Sequence, residues 1–149
     1  MFYNIFYDAK ADIKGSDKYP NIKGTITFNE KENGVLITAR IYNLPNGPNK
    51  GRFFAFHIHE GNSCTGIDFE DSKKHLNPNN LDHPYHLGDL PPLIECNGYA
   101  YMQVLVNKFK VEDIIGKTII IHDGTDDFKT QPSGNAGLKI ACGVIKKRI

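Results

Sequence analysis

The sequence lacks most features that mark the common specialised protein classes. No apolar run approaches the roughly 20 residues of a membrane-spanning helix. Neither sign of charge dominates: 18 Lys and Arg stand against 17 Asp and Glu, a formal net charge of +1. That leaves no broad basic or acidic face, so neither a nucleic-acid nor a membrane partner is expected. None of the three cysteines, Cys64, Cys96 and Cys142, stands in a Cys-x-x-Cys arrangement, which argues against a thiolate zinc site or a thioredoxin-like motif. Composition alone reads them as reduced, buried thiols. Residues Met1 to Asp8 have neither the basic leader nor the long apolar stretch of a signal peptide and read as a strand. The expectation is a cytoplasmic protein, or a secreted or periplasmic one if a leader has been removed. There is no internal repeat, no low-complexity segment and no sustained 3.6-residue apolar period. A chain of 149 residues suits one substantial core, so a single domain over 1–149 is expected.

What is present is alternation. Ile22, Gly24, Ile26 and Phe28 alternate with Lys23, Thr25, Thr27 and Asn29. Asn33-Gly34 then gives a strong hairpin signal. Val35, Ile37, Ala39 and Ile41 alternate next, and Pro45-Asn46-Gly47-Pro48 stops that strand. Phe53 to Glu60 reads as one strand, as do Gly98 to Asn107, Thr118 to His122 and Ala141 to Lys147; residues 111–115 read as one helical turn. The aromatics Phe2, Tyr3, Phe6, Tyr7 and Phe53 are assigned to the core by default, with an interface as the alternative. Many short strands between turn signals predict an all-β sandwich or barrel. Residues 61–97, rich in Asn, Pro, Gly, Asp and His, are then a loop of a length that is usually functional or disordered.

All six histidines fall into one pattern. His57 and His59 are two apart on a predicted strand, so they share a face about 7 Å apart at the backbone, while Phe54, Phe56 and Ile58 face the core. Taken alone, that pair fits two solvent-facing strand histidines better than a site. His75, His83, His86 and Asp89 carry more weight, because three imidazoles and a carboxylate satisfy a closed tetrahedral zinc site. His122 ends an apolar strand; it joins the pattern only if the fold brings it beside His57 and His59. Imidazole is the commonest transition-metal ligand near neutral pH, so this distribution predicts a metal protein.

These residues resemble those of the copper-zinc superoxide dismutase family. Phe56-His57-Ile58-His59-Glu60, His75-Leu76-Asn77-Pro78, His86-Leu87-Gly88-Asp89-Leu90, Ile121-His122, Gly134-Asn135-Ala136-Gly137 and Ala141-Cys142-Gly143-Val144-Ile145 match in order, from about Ile22 to the C-terminus. The resemblance implies an immunoglobulin-like Greek-key β-sandwich, or flattened β-barrel, with long metal-binding and electrostatic loops. It implies copper on His57, His59, His75 and His122, and zinc on His75, His83, His86 and Asp89, with the His75 imidazolate shared between them. Asp126 is implied as the carboxylate linking ligand histidines of both metals, and Cys64 with Cys142 as a disulfide. Cys96 has no counterpart and is expected to be a free thiol.

The implied activity is conversion of superoxide to O2 and H2O2 by alternate reduction and oxidation of copper. His75 and Lys139 are the expected catalytic residues. Lys139 stands where the family has an arginine that guides the substrate anion; it keeps the charge but not the planar donor fork. The alternative is a copper- and zinc-binding protein of the same family without efficient turnover. The family includes dimers and monomers, so a homodimer is within what the resemblance implies.

Overall fold

In the computed structural model, residues 6–47 and 52–149 are described. Among them the strands are β1 (Ala9–Gly15), β2 (Lys23–Lys31), β3 (Gly34–Tyr42), β4 (Phe53–Phe54), β5 (Phe56–His59), β6 (Leu93–Ile94), β7 (Ala100–Val106), β8 (Thr118–His122) and β9 (Lys139–Lys147). A 3-10 segment covers Ile67–Ser72, and one helical turn, α1, covers Val111–Ile114.

The apolar alternation sets which face of each strand is buried. Ile26 and Phe28 of β2 stand opposite Ala39 and Ile37 of β3, and all four are fully buried. Ala9, Ala11 and Ile13 of β1, Phe56 and Ile58 of β5, and Ile119 and Ile121 of β8 join them in one core. Each large apolar side chain buried this way stabilises the fold by about 1.5–3 kcal/mol.

Seven strands form an antiparallel sheet in the order β5-β8-β9-β1-β2-β3-β7, with β4 and β6 as a separate pair. The chain leaves β3 near one edge and re-enters at β5 on the other, and crosses back the same way from β7 to β8. These are Greek-key crossings. β4 runs into edge strand β5, and β6 leads toward edge strand β7; the pairs Phe53–Ile94 and Phe54–Leu93 therefore join the two edges. The result is the flattened Greek-key barrel that was expected. No helix among the described residues is long and apolar enough to cross a membrane.

Several expectations need correction. Among the described residues the first strand starts at Ala9, so Phe6 to Asp8 are not part of a strand; the rest of the expected N-terminal strand, Met1 to Ile5, lies outside the described residues. The β2–β3 register pairs Lys31 with Gly34, so the turn residues are Glu32 and Asn33, and Gly34 already opens β3. Phe53 to Glu60 is not one strand. It breaks at Ala55, which donates to Gly124 O (2.8 Å) and accepts from His122 N (2.9 Å), where the chain changes partner from β6 to β8. Phe6 is 77% exposed and Phe53 46% exposed, so neither is a core residue. Of the cysteines read from composition as reduced and buried, Cys64 and Cys142 are disulfide-bonded and Cys96 is free but exposed.

Beneath the loop after β5 lies a second, smaller core. Ile120 points away from the main core and packs with Phe69 and Cys142, with Cys64 against them. This cluster and the disulfide pin the loop to β8 and β9.

Candidate metal centre

Main-chain hydrogen bonds bring the histidine segments onto the outer wall of β5. Leu76 N donates to Ile58 O (2.9 Å), Ile58 N to Gly88 O (2.8 Å), and Gly88 N to Leu76 O (2.9 Å). Isolated bridges pair His59 with His75 and His57 with Asp89. Gly88 fits so close to the strand that a Cβ there would lie 2.1 Å from Ile58 O. The intervening loop is shaped by its own polar side chains: Asn77 accepts from Leu81 N (3.0 Å) and donates to Leu81 O (2.8 Å). His122 arrives from β8 through a register shift between Ile121 and His122 against β9, the kind of irregularity that re-aims a side chain.

The six histidines and Asp89 are therefore gathered and buried. His57, His59, His75 and His122 form one group, their ligand-type atoms all within 4.8 Å of one another. His83 and Asp89 form a second with His75, and His57 falls within the same distance. His86 completes that second group: its Nδ1 is 3.2 Å from His75 Nδ1 and 3.3 Å from Asp89 Oδ2. His75 Nδ1 is 2.9 Å from Asp89 Oδ1, and His83 Nδ1 is 3.1 Å from Asp89 Oδ2.

Hydrogen bonds to obligate acceptors assign the ring protons. The Asp126 carboxylate accepts from His57 Nε2 (2.7 Å) and His83 Nε2 (2.8 Å), which leaves Nδ1 of the neutral His57 ring as a bare lone pair. Lys73 O accepts from His59 Nδ1 (2.8 Å) and Gly137 O from His122 Nδ1 (3.3 Å), so the free nitrogen of both rings is Nε2. Burial pulls the His57 pKa down to about 4 against its bond to Asp126, and the His122 pKa down to about 3, helped by the charge of His57. Burial and the neighbouring His122 also hold His59 well below the usual histidine range. These three rings are thus neutral at pH 7.

Two consequences follow. His59 Nε2 and His122 Nε2 face each other at 3.3 Å with no proton between them. His57 Nδ1, His75 Nε2 and His83 Nδ1 are buried polar atoms without a hydrogen-bond partner. Converging, desolvated lone pairs are unfavourable unless a cation lies among them. The donor set fits metal ions: four imidazoles at one point, three imidazoles and a carboxylate at the other. His75 offers one ring nitrogen to each.

The second group is ringed by carboxylate chemistry. Burial alone would raise the Asp126 and Asp89 pKa values, but the hydrogen bonds and charges of the histidines outweigh it, holding Asp126 well below the ordinary carboxylate range and lowering Asp89 as well. Gly134 leaves the room Asp126 needs: it sits at φ +69°, and a Cβ there would lie 2.0 Å from Asp126 Oδ1.

A cleft of about 480 Å³ opens over His59, His75, His86 and His122 and is rimmed by Lys73, Lys74 and Lys139. Lys139 lines this cleft, but its ammonium is engaged. It donates to Lys73 O (2.8 Å), Ser72 Oγ (2.8 Å) and Phe69 O (3.3 Å), and burial lowers its pKa. An ammonium has three N–H groups, so none is left over.

Sequence reasoning missed three residues around the site. Ser72 is the buried acceptor for Lys139. Gln131 pairs with the His83 main chain, accepting from N and donating to O at 2.8 Å each. Lys108 reaches the loop at His86 and Asp89. Gln131 and Lys108 act on the backbone and Ser72 acts through Lys139, and none carries a motif.

Comparisons with known proteins give the family. The family described as copper/zinc superoxide dismutase matches residues 22–145. The chain is 36% identical over 146 residues to a protein of Legionella pneumophila named superoxide dismutase [Cu-Zn], covering 93% of this chain and 87% of that one. It is 39% identical over 132 residues to superoxide dismutase [Cu-Zn] 1 of Aquifex aeolicus, covering 78% and 76%. The crystal structure of a superoxide dismutase-like protein from Bacillus subtilis superposes with a TM-score of 0.77 at 28% identity, covering 91% and 96%. With the barrel, the disulfide and the shared histidine in place, the chain belongs to the copper/zinc superoxide dismutase family.

Proposed function

We propose that the protein is a copper- and zinc-dependent superoxide dismutase and that residues 1–149 act as one catalytic domain. The observation that carries this reading is His75, a buried ring whose two nitrogens belong to two different ligand groups. His57 Nδ1 and the Nε2 atoms of His59, His75 and His122 would hold copper. The Nδ1 atoms of His75, His83 and His86, with Asp89, would hold zinc. Bound copper supplies one-electron exchange between two oxidation states, which zinc lacks.

The net reaction takes two superoxide anions and two protons to one O2 and one H2O2. One anion is oxidised by one electron and the other is reduced by one. The reduced product needs protons, and His75 Nε2 is placed to carry one: it faces the copper group, and His75 borders the cleft. Nε2 has one lone pair, so it would take a proton from solvent only while it is not engaged by copper; passing that proton to the reduced oxygen, with the second proton drawn from solvent, returns the ring to its starting state. Asp126 fixes the tautomers of His57 and His83 in one stroke, so neither ring rotates or gains a proton at the wrong nitrogen. The lysines at the rim favour an anionic substrate. Lys139 acts by its charge and by tying the 69–73 segment to β9, since its donors are engaged.

The test is superoxide decay followed directly after pulsed generation, with one copper and one zinc loaded per chain. The expected result is catalytic decay that His122→Ala abolishes while zinc is retained. Full loading with decay no faster than in buffer would instead leave the alternative, a metal-binding member without turnover.

A further inference from the structure

Lys108 lies two residues beyond the end of β7 and is not part of either ligand group. Its Nζ donates to Asp89 O (2.8 Å) and His86 O (3.2 Å), both bonds part-buried. Burial lowers the pKa of this ammonium, and Asp89 partly opposes the shift. Lys108 remains exposed along its length, but its ammonium is turned inward onto the main-chain carbonyls of two residues that close the second group.

The turn it grips is already closed locally. Asp89 N donates to His86 O (3.2 Å), and His86 N donates to Asp89 Oδ2 (2.9 Å). Those bonds set the shape of the turn but not its place on the barrel. Its place is set on one side by β5, through the bond from Ile58 N to Gly88 O. On the other side Lys108 ties it to the end of β7. β5 and β7 are the two outermost strands of the sheet, so the turn lies wedged across the gap between them.

We propose that Lys108 is a positioning residue for the zinc group: it holds the 86–89 turn so that His86 Nδ1 and the Asp89 carboxylate converge with His75 and His83. This rests on the zinc reading of that group given above. Partners that orient metal ligands typically change affinity by about 10–100-fold when removed.

The experiment compares the whole protein with Lys108→Met and Lys108→Arg. Zinc affinity is read by chelator competition on the metal-free proteins, and ligand geometry by the visible spectrum with cobalt(II) in the zinc group. Lys108→Met is expected to lose at least tenfold in zinc affinity and to shift the cobalt spectrum. Lys108→Arg, which can still donate to both carbonyls, is expected to recover most of both. If the Met variant does not fold, Lys108→Gln is held to the same measurements. Zinc affinity within twofold of the parent with an unchanged cobalt spectrum overturns the proposal, even if the melting temperature falls. A parent protein that takes up neither zinc nor cobalt at that group refutes the zinc reading itself, and the proposal with it.

Discussion

The wall formed by β1, β2, β3 and β7 and the loops over β5 and β8 are held by different forces. The wall has continuous ladders, such as the nine paired positions between β2 and β3, and an apolar core that includes the fully buried Phe28, Ile37 and Ile26. The loops have little of either. They are held by one disulfide, a small cluster around Phe69 and Ile120, and side chains that bond their own turns. Stability is concentrated in the wall. The loops carry buried, unpaired lone pairs that destabilise the metal-free chain, and ion binding converts that liability into affinity. Substitutions in the two regions should therefore differ in kind as well as in size.

The largest effect on folding belongs to the wall. Phe28→Ala leaves a cavity in the fully buried core and is expected to cost about 3–5 kcal/mol in chemical denaturation of the metal-free protein. A loss below about 1 kcal/mol would blur the division between the regions. Next comes the covalent tie. Cys64→Ser removes a bond that closes a span of 78 residues and is expected to cost about 4 kcal/mol in the chain-entropy view. The loss should disappear when the parent protein is measured under reducing conditions.

Acid sharpens the comparison. In the unfolded chain His57 and His122 take up protons near the ordinary histidine pKa of about 6.5, but in the fold only near about 4 and about 3. Unfolding therefore binds protons in that window. The stability these rings contribute is complete above about pH 6.5 and lost as pH falls through about 4 toward 3. Melting temperature against pH, without metals, should fall across that range for the parent and less steeply for His122→Asn. Equal slopes would contradict the burial argument.

The smallest expected change is a gain. Lys139→Arg replaces three donors with five, which leaves donors to meet an anion after the loop carbonyls are satisfied. Turnover should rise several-fold with little change in melting temperature. Unchanged turnover would show that the cleft anion does not approach this side chain.

The wall was legible because alternation reports a strand with one buried face, as at Val35, Ile37, Ala39 and Ile41. β1 was harder to read because Ala9 and Ala11 are buried but only weakly apolar. The break at Ala55 was invisible because the change of partner depends on Gly124 and His122, which are distant in sequence. The grouping of His75, His83, His86 and Asp89 was suggested by spacing, whereas the convergence of His57, His59 and His122 was implied only by the family resemblance, which also supplied Asp126 and the disulfide. Lys108, Gln131 and Ser72 were not. They serve the site through main-chain atoms and through Lys139, and such a role leaves no pattern in residue type.

The shared ring is the centre of this account, and crystals of the protein loaded with both metals test it most directly. Anomalous maps recorded across the copper and zinc absorption edges should show two distinct ions. Copper should lie against His75 Nε2 with His57, His59 and His122, and zinc against His75 Nδ1 with His83, His86 and Asp89. A single ion, or two ions neither of which contacts His75, would contradict it.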